Sequence, residues 1–303
     1  MSDRTLKLLV GALAVAVALW AVASLMSGGG GSIGATGELA RFFDGMDSAS
    51  IQSVRFEGPT GSVELTRDSS GWRANGWEAS PGRVAQFLTA LSESEVDDLA
   101  ATNAANHARM GVSADSAITL EIRLAGGNRT MLVGDEGPRF GTAYGRLPDR
   151  DEVYVVEGGI RGHLRRGVNE WRNTEIVAVD TASVARIEIE RDDDAYALVR
   201  GDSAWTLEGG DPVDPVQARN VLTELASMIA AGFVTESDSI HGLPRGGAST
   251  AYAADGRILA EVTVGSGEGE RWVRAAGDSI VYRLSGFRVG RLLPTRETLT
   301  PEG

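Results

Sequence analysis

Three histidines, His107, His163 and His241, are the side chains of this chain best suited to proton transfer near neutral pH. No two of them lie within four residues of each other, so one helix cannot present a pair of them to a metal ion. The members of a Ser-His-Asp triad come from distant parts of a chain, and spacing alone does not test for one. We interpret all three histidines as surface or turn residues, and the sequence predicts no catalytic residue.

Two short clusters have the composition of ligand sites but lack the required spacing. Residues 265–269 are rich in glycine but lack the lysine and the following helix of a phosphate-binding loop, so we predict a hairpin turn. Residues 192–194 are three aspartates without the spaced ligands and central glycine of an EF-hand loop, so we predict a solvated turn. No metal site and no cofactor-binding site are therefore predicted. Four further acidic residues are interpreted as a solvated face after a helix: Glu93, Glu95, Asp97 and Asp98.

Two tryptophans and one glycine-bounded loop have the composition of binding surfaces. Trp72 and Trp205 have the flat rings that stack on sugars, but they fall at equivalent places in an internal repeat, so we predict core positions for both. Residues 134–145 include Arg139 and Phe140, which suits either a binding loop or a long hairpin connection. We favour the hairpin connection.

Bulk composition excludes several classes of protein. The chain has 303 residues, of which 42% are hydrophobic, enough for two domains that each bury a core. Its net charge of −13 repels nucleic acid, so we predict no nucleic-acid partner. The absence of cysteine excludes disulfides, thiol catalysis, cysteine-ligated metals and a lipid attached to an N-terminal cysteine.

The secondary-structure elements that must position these residues form an internal repeat of two copies along the chain. Placing Trp72 over Trp205 aligns two short strands and a tight turn in each copy. The aligned apolar positions pair Ile51 with Val184, Val54 with Ile187, Phe56 with Ile189, and Leu65 with Leu198. A repeat of this kind predicts two copies of one structural unit.

A helix follows the strands in both copies. Ser80-Pro81 and Asp214-Pro215 combine an N-cap residue with proline at the first helical position. Apolar residues then recur with the spacing of a helix that has one buried stripe. The two stripes are Val84, Phe87, Leu88 and Leu91, and Ala218, Val221, Leu222 and Leu225.

Short turns between consecutive strands favour antiparallel pairing. The sequence therefore predicts an α+β fold of two tandem repeats, residues 48–178 and 183–300, each an antiparallel β-sheet with a packed amphipathic helix. The join is expected within residues 172–181.

An apolar segment precedes the repeats. Residues 8–26 carry no charge and at about 1.5 Å per residue are long enough to cross a bilayer. Arg4 and Lys7 precede this segment, so we predict that residues 1–7 form a cytoplasmic tail and residues 8–26 a transmembrane anchor. Residues 27–47 are predicted as a glycine-rich linker and a short helix, which we interpret as a cap on the first repeat.

The alternative is a cleaved signal peptide, because Ala21-Val22-Ala23 has the form of a cleavage site. Both interpretations export the repeats. We therefore predict a single-pass protein of the cytoplasmic membrane whose ectodomain faces the periplasm or the cell exterior.

The order of these features resembles a family of exported bacterial proteins known as domain of unknown function 4340. The resemblance covers about residues 48–300. It departs at residues 170–173, where a basic–acidic pair is expected before the join. The family implies an N-terminal transmembrane segment, no established catalytic residues, and association with gliding-motility-type ABC transporters as an auxiliary component. The features that carry it are a strand–strand–tryptophan opening, a proline-led amphipathic helix, the dipeptides Gly111-Val112 and Gly242-Leu243, the strand ends Val133-Gly134 and Val264-Gly265, and the late strands with Tyr154 and Tyr282.

The leading functional hypothesis is a non-enzymatic, membrane-tethered interaction protein whose partners are membrane proteins of an ABC-type complex. A periplasmic module that binds a ligand or glycan in a cleft between the repeats is the second hypothesis. A hydrolase with an unrecognised site is the third.

Overall fold

The structure is a computed structural model that describes residues 36–59, 61–234 and 245–301. The predicted cytoplasmic tail, the predicted anchor, the first part of the linker and His241 lie outside the described residues. Within the described ranges, no helix is long and apolar enough to cross a membrane. The chain divides into two compact units, unit 1 at residues 1–172 and unit 2 at residues 173–303.

In unit 1 the described strands form one antiparallel sheet in the order β4-β3-β2-β1-β6-β7-β8-β9-β5. Two 3₁₀ turns, Ala104–Asn106 and Ala108–Met110, lie between β5 and β6. The elements of unit 1 are α1 (Thr36–Phe43), β1 (Ile51–Gly58), β2 (Gly61–Asp68), β3 (Gly71–Ala74), β4 (Trp77–Glu78), α2 (Pro81–Ser92), β5 (Val96–Ala101), β6 (Ile118–Leu124), β7 (Gly127–Glu136), β8 (Ala143–Arg146), β9 (Val153–Val156), α3 (Ile160–Leu164) and α4 (Val168–Trp171).

In unit 2 the main described sheet has the order β13-β12-β11-β16-β17-β18-β19-β15, and β10 pairs with β14 separately. A 3₁₀ turn, Thr181–Ser183, precedes β11. The elements of unit 2 are β10 (Glu175–Ala178), β11 (Arg186–Arg191), β12 (Asp194–Arg200), β13 (Trp205–Leu207), α5 (Pro215–Ala226), β14 (Ser227–Ile229), β15 (Gly232–Phe233), β16 (Arg245–Tyr252), β17 (Ile258–Gly265), β18 (Arg271–Ala275), β19 (Tyr282–Leu284), α6 (Gly286–Leu292) and α7 (Arg296–Leu299).

The two main sheets share one strand order. Strands β3-β2-β1-β6-β7-β8-β9-β5 of unit 1 correspond in sequence to β13-β12-β11-β16-β17-β18-β19-β15 of unit 2, and β4 is added at the edge of unit 1. The pairing registers also match, because Val54 faces Leu65 where Ile187 faces Leu198. The α+β class with antiparallel sheets is confirmed.

The division between the units differs from the predicted end of the first repeat at residue 178. Residues 173–178 belong to unit 2 because β10 pairs with β14, with Val177 opposite Met228. The strand β10 pairs with no strand that is near it in the sequence. Its place in unit 2 is therefore set by the long-range pairing with β14.

The predicted helical stripes form the buried faces of α2 and α5. In α2 all four stripe residues are buried, and Phe87 packs edge-on against Phe56 of β1 with ring centroids 6.2 Å apart. In α5 the stripe residues are buried except Leu222, which is half-buried against the core of unit 2. Each helix therefore covers the apolar face of the sheet in its own unit.

The short helix α1 also packs on the core of unit 1. Its large apolar side chains and that of the following Met46 are buried. Arg129 of β7 donates from Nη1 to the carbonyl oxygens of Phe42 and Asp44, each at 2.7 Å, and so satisfies the C-terminal end of the helix. The buried set is Leu39, Phe42, Phe43 and Met46.

The N-caps of α2 and α5 differ, although both were predicted to be capped by a side chain. Asp214 accepts hydrogen bonds at Oδ1 from the amides of Val216 (2.8 Å) and Gln217 (2.9 Å). Ser80 makes no capping hydrogen bond with its side chain, and its amide donates to the carbonyl oxygen of Trp171. The prediction is wrong for Ser80 because a backbone contact distant in sequence sets its conformation.

The two predicted core tryptophans are equivalent in place but not fully buried. Trp72 lies opposite Arg67 in the sheet of unit 1, as Trp205 lies opposite Arg200 in unit 2. Both side chains are half-buried, because β3 and β13 lie at or next to a sheet edge and their side chains cover only the rim of the core. The core prediction is therefore wrong for both residues.

Trp171 of α4 is the tryptophan that fills the core of unit 1, with 0% of its surface exposed. Its ring lies 5.8 Å from that of Phe56 and 5.3 Å from that of Phe87, both edge-on. His163 of α3 packs on the same aromatic group, 5.5 Å from the Phe87 ring. We call Phe56, Phe87, His163 and Trp171 the aromatic cluster. Residues 170–173 stood out in the sequence only as a departure from the family pattern.

His163 is half-buried in this cluster, so its interpretation as a surface or turn residue is wrong. Its Nδ1 lies 2.9 Å from Nη1 of Arg166, which donates the hydrogen bond, so the imidazole is neutral with its proton on Nε2. Burial lowers the pKa of His163, and the nearby charge of Arg166 lowers it further.

The difference between the two helix caps predicts unequal costs of truncation. We expect Asp214→Ala to reduce the free energy of unfolding by about 0.5–2 kcal/mol, because two first-turn amides lose their acceptor. Ser80→Ala, the matched control, should leave it almost unchanged. Urea unfolding followed by circular dichroism measures both variants, and equal losses would contradict the assignment.

The burial of the tryptophans predicts a second contrast. Trp171→Ala should reduce the free energy of unfolding by about 3–5 kcal/mol, because it leaves a cavity among packed aromatic rings. Trp72→Ala and Trp205→Ala should each cost clearly less, since part of each side chain already contacts water. The same unfolding measurement applies, and a Trp72→Ala loss as large as that of Trp171→Ala would show that Trp72 is a core residue.

The lowered pKa of His163 predicts a pH dependence of stability. Below a pH of about 6.5 the unfolded chain binds a proton at this histidine more readily than the folded chain does, so stability falls as the pH decreases through this range. We expect His163→Gln to lose less unfolding free energy than the wild type between pH 7.5 and pH 5.5. An identical pH dependence in His163→Gln would exclude this role.

Candidate functional site

The residues that the sequence singled out for chemistry do not converge in the structure. His107 lies with Nε2 2.9 Å from the carbonyl oxygen of Asp151, and His163 lies in the aromatic cluster. Among the described residues, no group of three or more histidine, aspartate or glutamate side chains could hold a metal ion. We therefore considered the clefts and exposed side chains of each unit as candidate binding surfaces.

The two clusters of ligand-like composition are turns between strands. Asp192 adopts a positive φ of 51° between β11 and β12, and Asp194 forms an ion pair with Arg296 at 3.0 Å. Residues 266–270 connect β17 to β18, which pair antiparallel, so the predicted hairpin is confirmed. Glu93, Glu95 and Asp98 are exposed after α2, as predicted, and Asp97 is half-buried. Asp97 and Asp98 lie in the edge strand β5.

The predicted loop at residues 134–145 is the hairpin between β7 and β8. Its tip is closed by a hydrogen bond from the Gly137 amide to the Thr142 carbonyl oxygen at 3.0 Å. The side chain of Phe140 at this tip is fully exposed. The hairpin interpretation is confirmed, and the exposed ring also leaves the hairpin with the character of a binding loop.

Arg139 braces the tip against two other strands. Its Nη2 contacts the Asp97 carboxylate of β5 and lies 2.6 Å from Oε1 of Glu157, which follows β9. These two hydrogen bonds raise the pKa of Arg139 further above its usual range. The hydroxyl of Thr142 also donates to the Arg139 carbonyl oxygen at 2.6 Å. The exposed phenyl ring therefore stands on a fixed support.

A cleft of about 300 Å³ lies beside this tip, between the hairpin and α3, and we call it the hairpin cleft. Arg161 lines it and is held by the Gly134 carbonyl oxygen (2.7 Å) and Asp135 (3.1 Å). Arg165 also lines it, is exposed, and has no ion pair among the residues that the structure describes. The remaining lining residues are Glu136, Arg139, Phe140, Gly141, Thr142, Gly159 and Gly162.

Unit 2 has a different surface at the corresponding place. The hairpin between β17 and β18 carries Glu268 and Glu270 where unit 1 carries Arg139 and Phe140, and Glu270 pairs with Arg283 at 3.2 Å. Of the two corresponding hairpins, only that of unit 1 therefore carries an exposed aromatic ring, whereas the exposed ring of unit 2, Phe287, lies on α6 with Arg291 5.8 Å from its centroid.

A second cleft of unit 1, of about 450 Å³, lies between α2 and the edge strands β3 and β4, and we call it the Trp72 groove. Arg73 on its rim is held by Asp68, with Nε 2.9 Å from Oδ2. Sequence reasoning missed this groove, as well as Arg161 and Arg165, because the lining residues are distant in sequence and follow no local pattern. The groove is lined by Ser70, Gly71, Trp72, Arg73, Glu78, Ala79, Pro81, Val84, Ala85 and Leu88.

Comparison with known protein families found a matching family model. A family model described as Domain of unknown function (DUF4340) matches residues 46–245, which is more than half of the chain. The match covers the strands and α2 of unit 1 and runs into unit 2 as far as the start of β16, whereas the resemblance in the sequence extended to about residue 300. No curated protein and no solved structure matches the chain. On the strength of the family match, the chain belongs to the DUF4340 family.

Proposed function

We propose that this chain is a non-enzymatic, membrane-tethered extracytoplasmic interaction protein that docks on a membrane protein through the Phe140 hairpin, as an auxiliary component of an ABC-type transport complex. The observation that carries the proposal is the fully exposed ring of Phe140 on a braced hairpin tip. The transport complex itself is suggested by the family resemblance.

An exposed phenylalanine can contribute binding free energy when a partner buries its side chain. Burial of such a side chain is worth roughly 1.5–3 kcal/mol, and aromatic anchors commonly dominate interface energies. Binding also requires that the contact residues become ordered, which opposes association. Since Arg139 and Thr142 already hold the tip in one conformation, this hairpin loses little freedom when it binds.

The surroundings of the ring suggest the chemistry of the partner surface. Phe140 fits an apolar pocket, and Arg165 beside it fits a carboxylate at the rim of that pocket. Arg139 and Arg161 are already paired with acidic groups of unit 1, so they orient the surface and leave Arg165 as the charge offered to the partner. An apolar pocket with an acidic rim on an extracytoplasmic loop of a membrane protein meets these requirements.

The tether supports the same role. Residues 8–26 are uncharged and follow Arg4 and Lys7, which favours a cytoplasmic N-terminus and an exported remainder. The glycine-rich composition of residues 28–31 is typical of a linker between the predicted anchor and the first repeat. A net charge of −13 argues against nucleic acid as the partner. The cleaved signal peptide remains the alternative to the anchor.

The proposal is tested by crosslinking in native membranes. Membranes are washed with carbonate, after which the full-length chain should remain bound, and a photoreactive amino acid at position 140 should then crosslink to an integral membrane protein. Phe140→Ser should reduce co-purification of that protein at least about tenfold, because the aromatic ring that enters the partner's pocket is lost.

Val216→Ser is the matched control, since it removes an exposed apolar side chain in unit 2. It should leave co-purification unchanged. Release of the chain by carbonate would overturn the tether, and equal co-purification with Phe140→Ser and wild type would overturn docking through the hairpin.

A further inference from the structure

The Trp72 groove has an apolar floor and a polar rim, the two kinds of surface that a sugar ring requires. Its apolar floor consists of the half-buried Trp72 indole and the α2 side chains Val84 and Leu88. Its rim on the strand side carries the polar side chains of Ser70, Arg73 and Glu78. A volume of about 450 Å³ lies within the usual range for small-molecule sites.

The indole face in this groove is open. Within the described part of the chain, no aromatic ring or cation stacks on Trp72, whereas the guanidinium carbon of Arg200 lies 5.0 Å from the ring centroid of the equivalent Trp205. Alignment of the prolines that open α2 and α5 also places Ala85, which lines the groove, opposite Arg219 of unit 2. At this helix position unit 1 therefore has a small group where unit 2 has an arginine, and Arg67, which corresponds to Arg200, donates to the Ala49 carbonyl oxygen at 3.3 Å.

The polar rim is preorganised for hydroxyl groups. Asp68 fixes Arg73 through its Nε and accepts from the Ser70 amide at 2.7 Å, and the hydrogen bond from Arg73 lowers the pKa of Asp68. Arg73 retains its other guanidinium donors, and the Ser70 hydroxyl can both donate and accept. Because Asp68 offsets the charge of Arg73, the rim suits an uncharged ligand.

We propose that the Trp72 groove binds a neutral hexopyranose ring of a saccharide. One face of such a ring presents C–H groups with slight positive charge, which pack on the electron-rich face of the indole. The hydroxyl groups at its edge then exchange hydrogen bonds with Arg73 and Ser70. This binding goes beyond docking at the hairpin and is independent of it, because the two surfaces share no lining residue.

The test is a binding titration with the full-length chain. The chain is purified in a polyoxyethylene detergent, because detergents with sugar head groups would compete for the groove. Isothermal calorimetry with a panel of neutral trisaccharides, made of glucose or of N-acetylglucosamine in different linkages, should identify at least one that binds. Trp72→Ala should weaken its binding at least about tenfold, as is usual when a stacking ring is removed.

Two variants separate stacking from general damage to the fold. Trp205→Ala, the equivalent substitution in unit 2, should leave the affinity unchanged. Ala85→Arg, which introduces the side chain found at this position in unit 2, should block binding while leaving Trp72 in place and the thermal midpoint close to that of the wild type. Phe140→Ser should bind the saccharide as the wild type does, so that failure of the docking proposal is distinguishable from failure of this one.

Three results would overturn the proposal. They are absence of binding by every trisaccharide of the panel, equal affinity of wild type and Trp72→Ala, and an effect of Trp205→Ala as large as that of Trp72→Ala. Binding of an extended peptide along the edge strand β4 in place of saccharide would also overturn it, since the groove would then be part of a strand-addition site.

Discussion

The structure depends on one requirement in each unit, that an amphipathic helix cover part of the apolar face of an antiparallel sheet. In unit 1, α2 meets this requirement with Phe87 against Phe56 of β1, and Trp171 fills the remaining volume from the end of the unit. In unit 2, α5 occupies the position in the repeat that α2 occupies in unit 1, and its apolar stripe is part of the core of unit 2. Because burial of this face is the main source of stability, the strand order is retained in both units and the variation lies in loops and edges.

That variation separates the two units chemically. Unit 1 has an exposed ring and arginines at its β7–β8 hairpin and an open indole in its groove, whereas unit 2 has glutamates at the corresponding hairpin and an arginine over its indole. In unit 2, Glu224 of α5 is buried and forms a 2.6 Å ion pair with Arg288 of α6. A buried pair of this kind fixes how two helices meet. Unit 1 thus offers the candidate binding surfaces.

Arginine organises the loops of both units, because one guanidinium offers five donors in a fixed fork. Arg146 is buried and donates to four carbonyl oxygens, those of Val112, Leu147, Pro148 and Arg150, at 2.8–3.0 Å. Burial lowers its pKa. Arg129 closes the end of α1, and Arg139 fixes the tip that carries Phe140. A lysine at position 146, with three donors on one nitrogen, could not satisfy four carbonyl oxygens at once, so this loop depends on the guanidinium group.

By itself the sequence determined what local periodicity and internal repetition encode: the α+β class, the antiparallel strands, the buried stripes of α2 and α5, the hairpin turns and the family. Only the tertiary structure decided the burial of Trp171 rather than Trp72, the position of His163 in the aromatic cluster, and the assignment of β10 to unit 2. It also decided the bracing of Arg139 by Asp97 and Glu157 and the lining of both clefts. The physical reason is that a side chain's burial and partners are set by strands and helices far away in sequence, and no local pattern records which of them will meet.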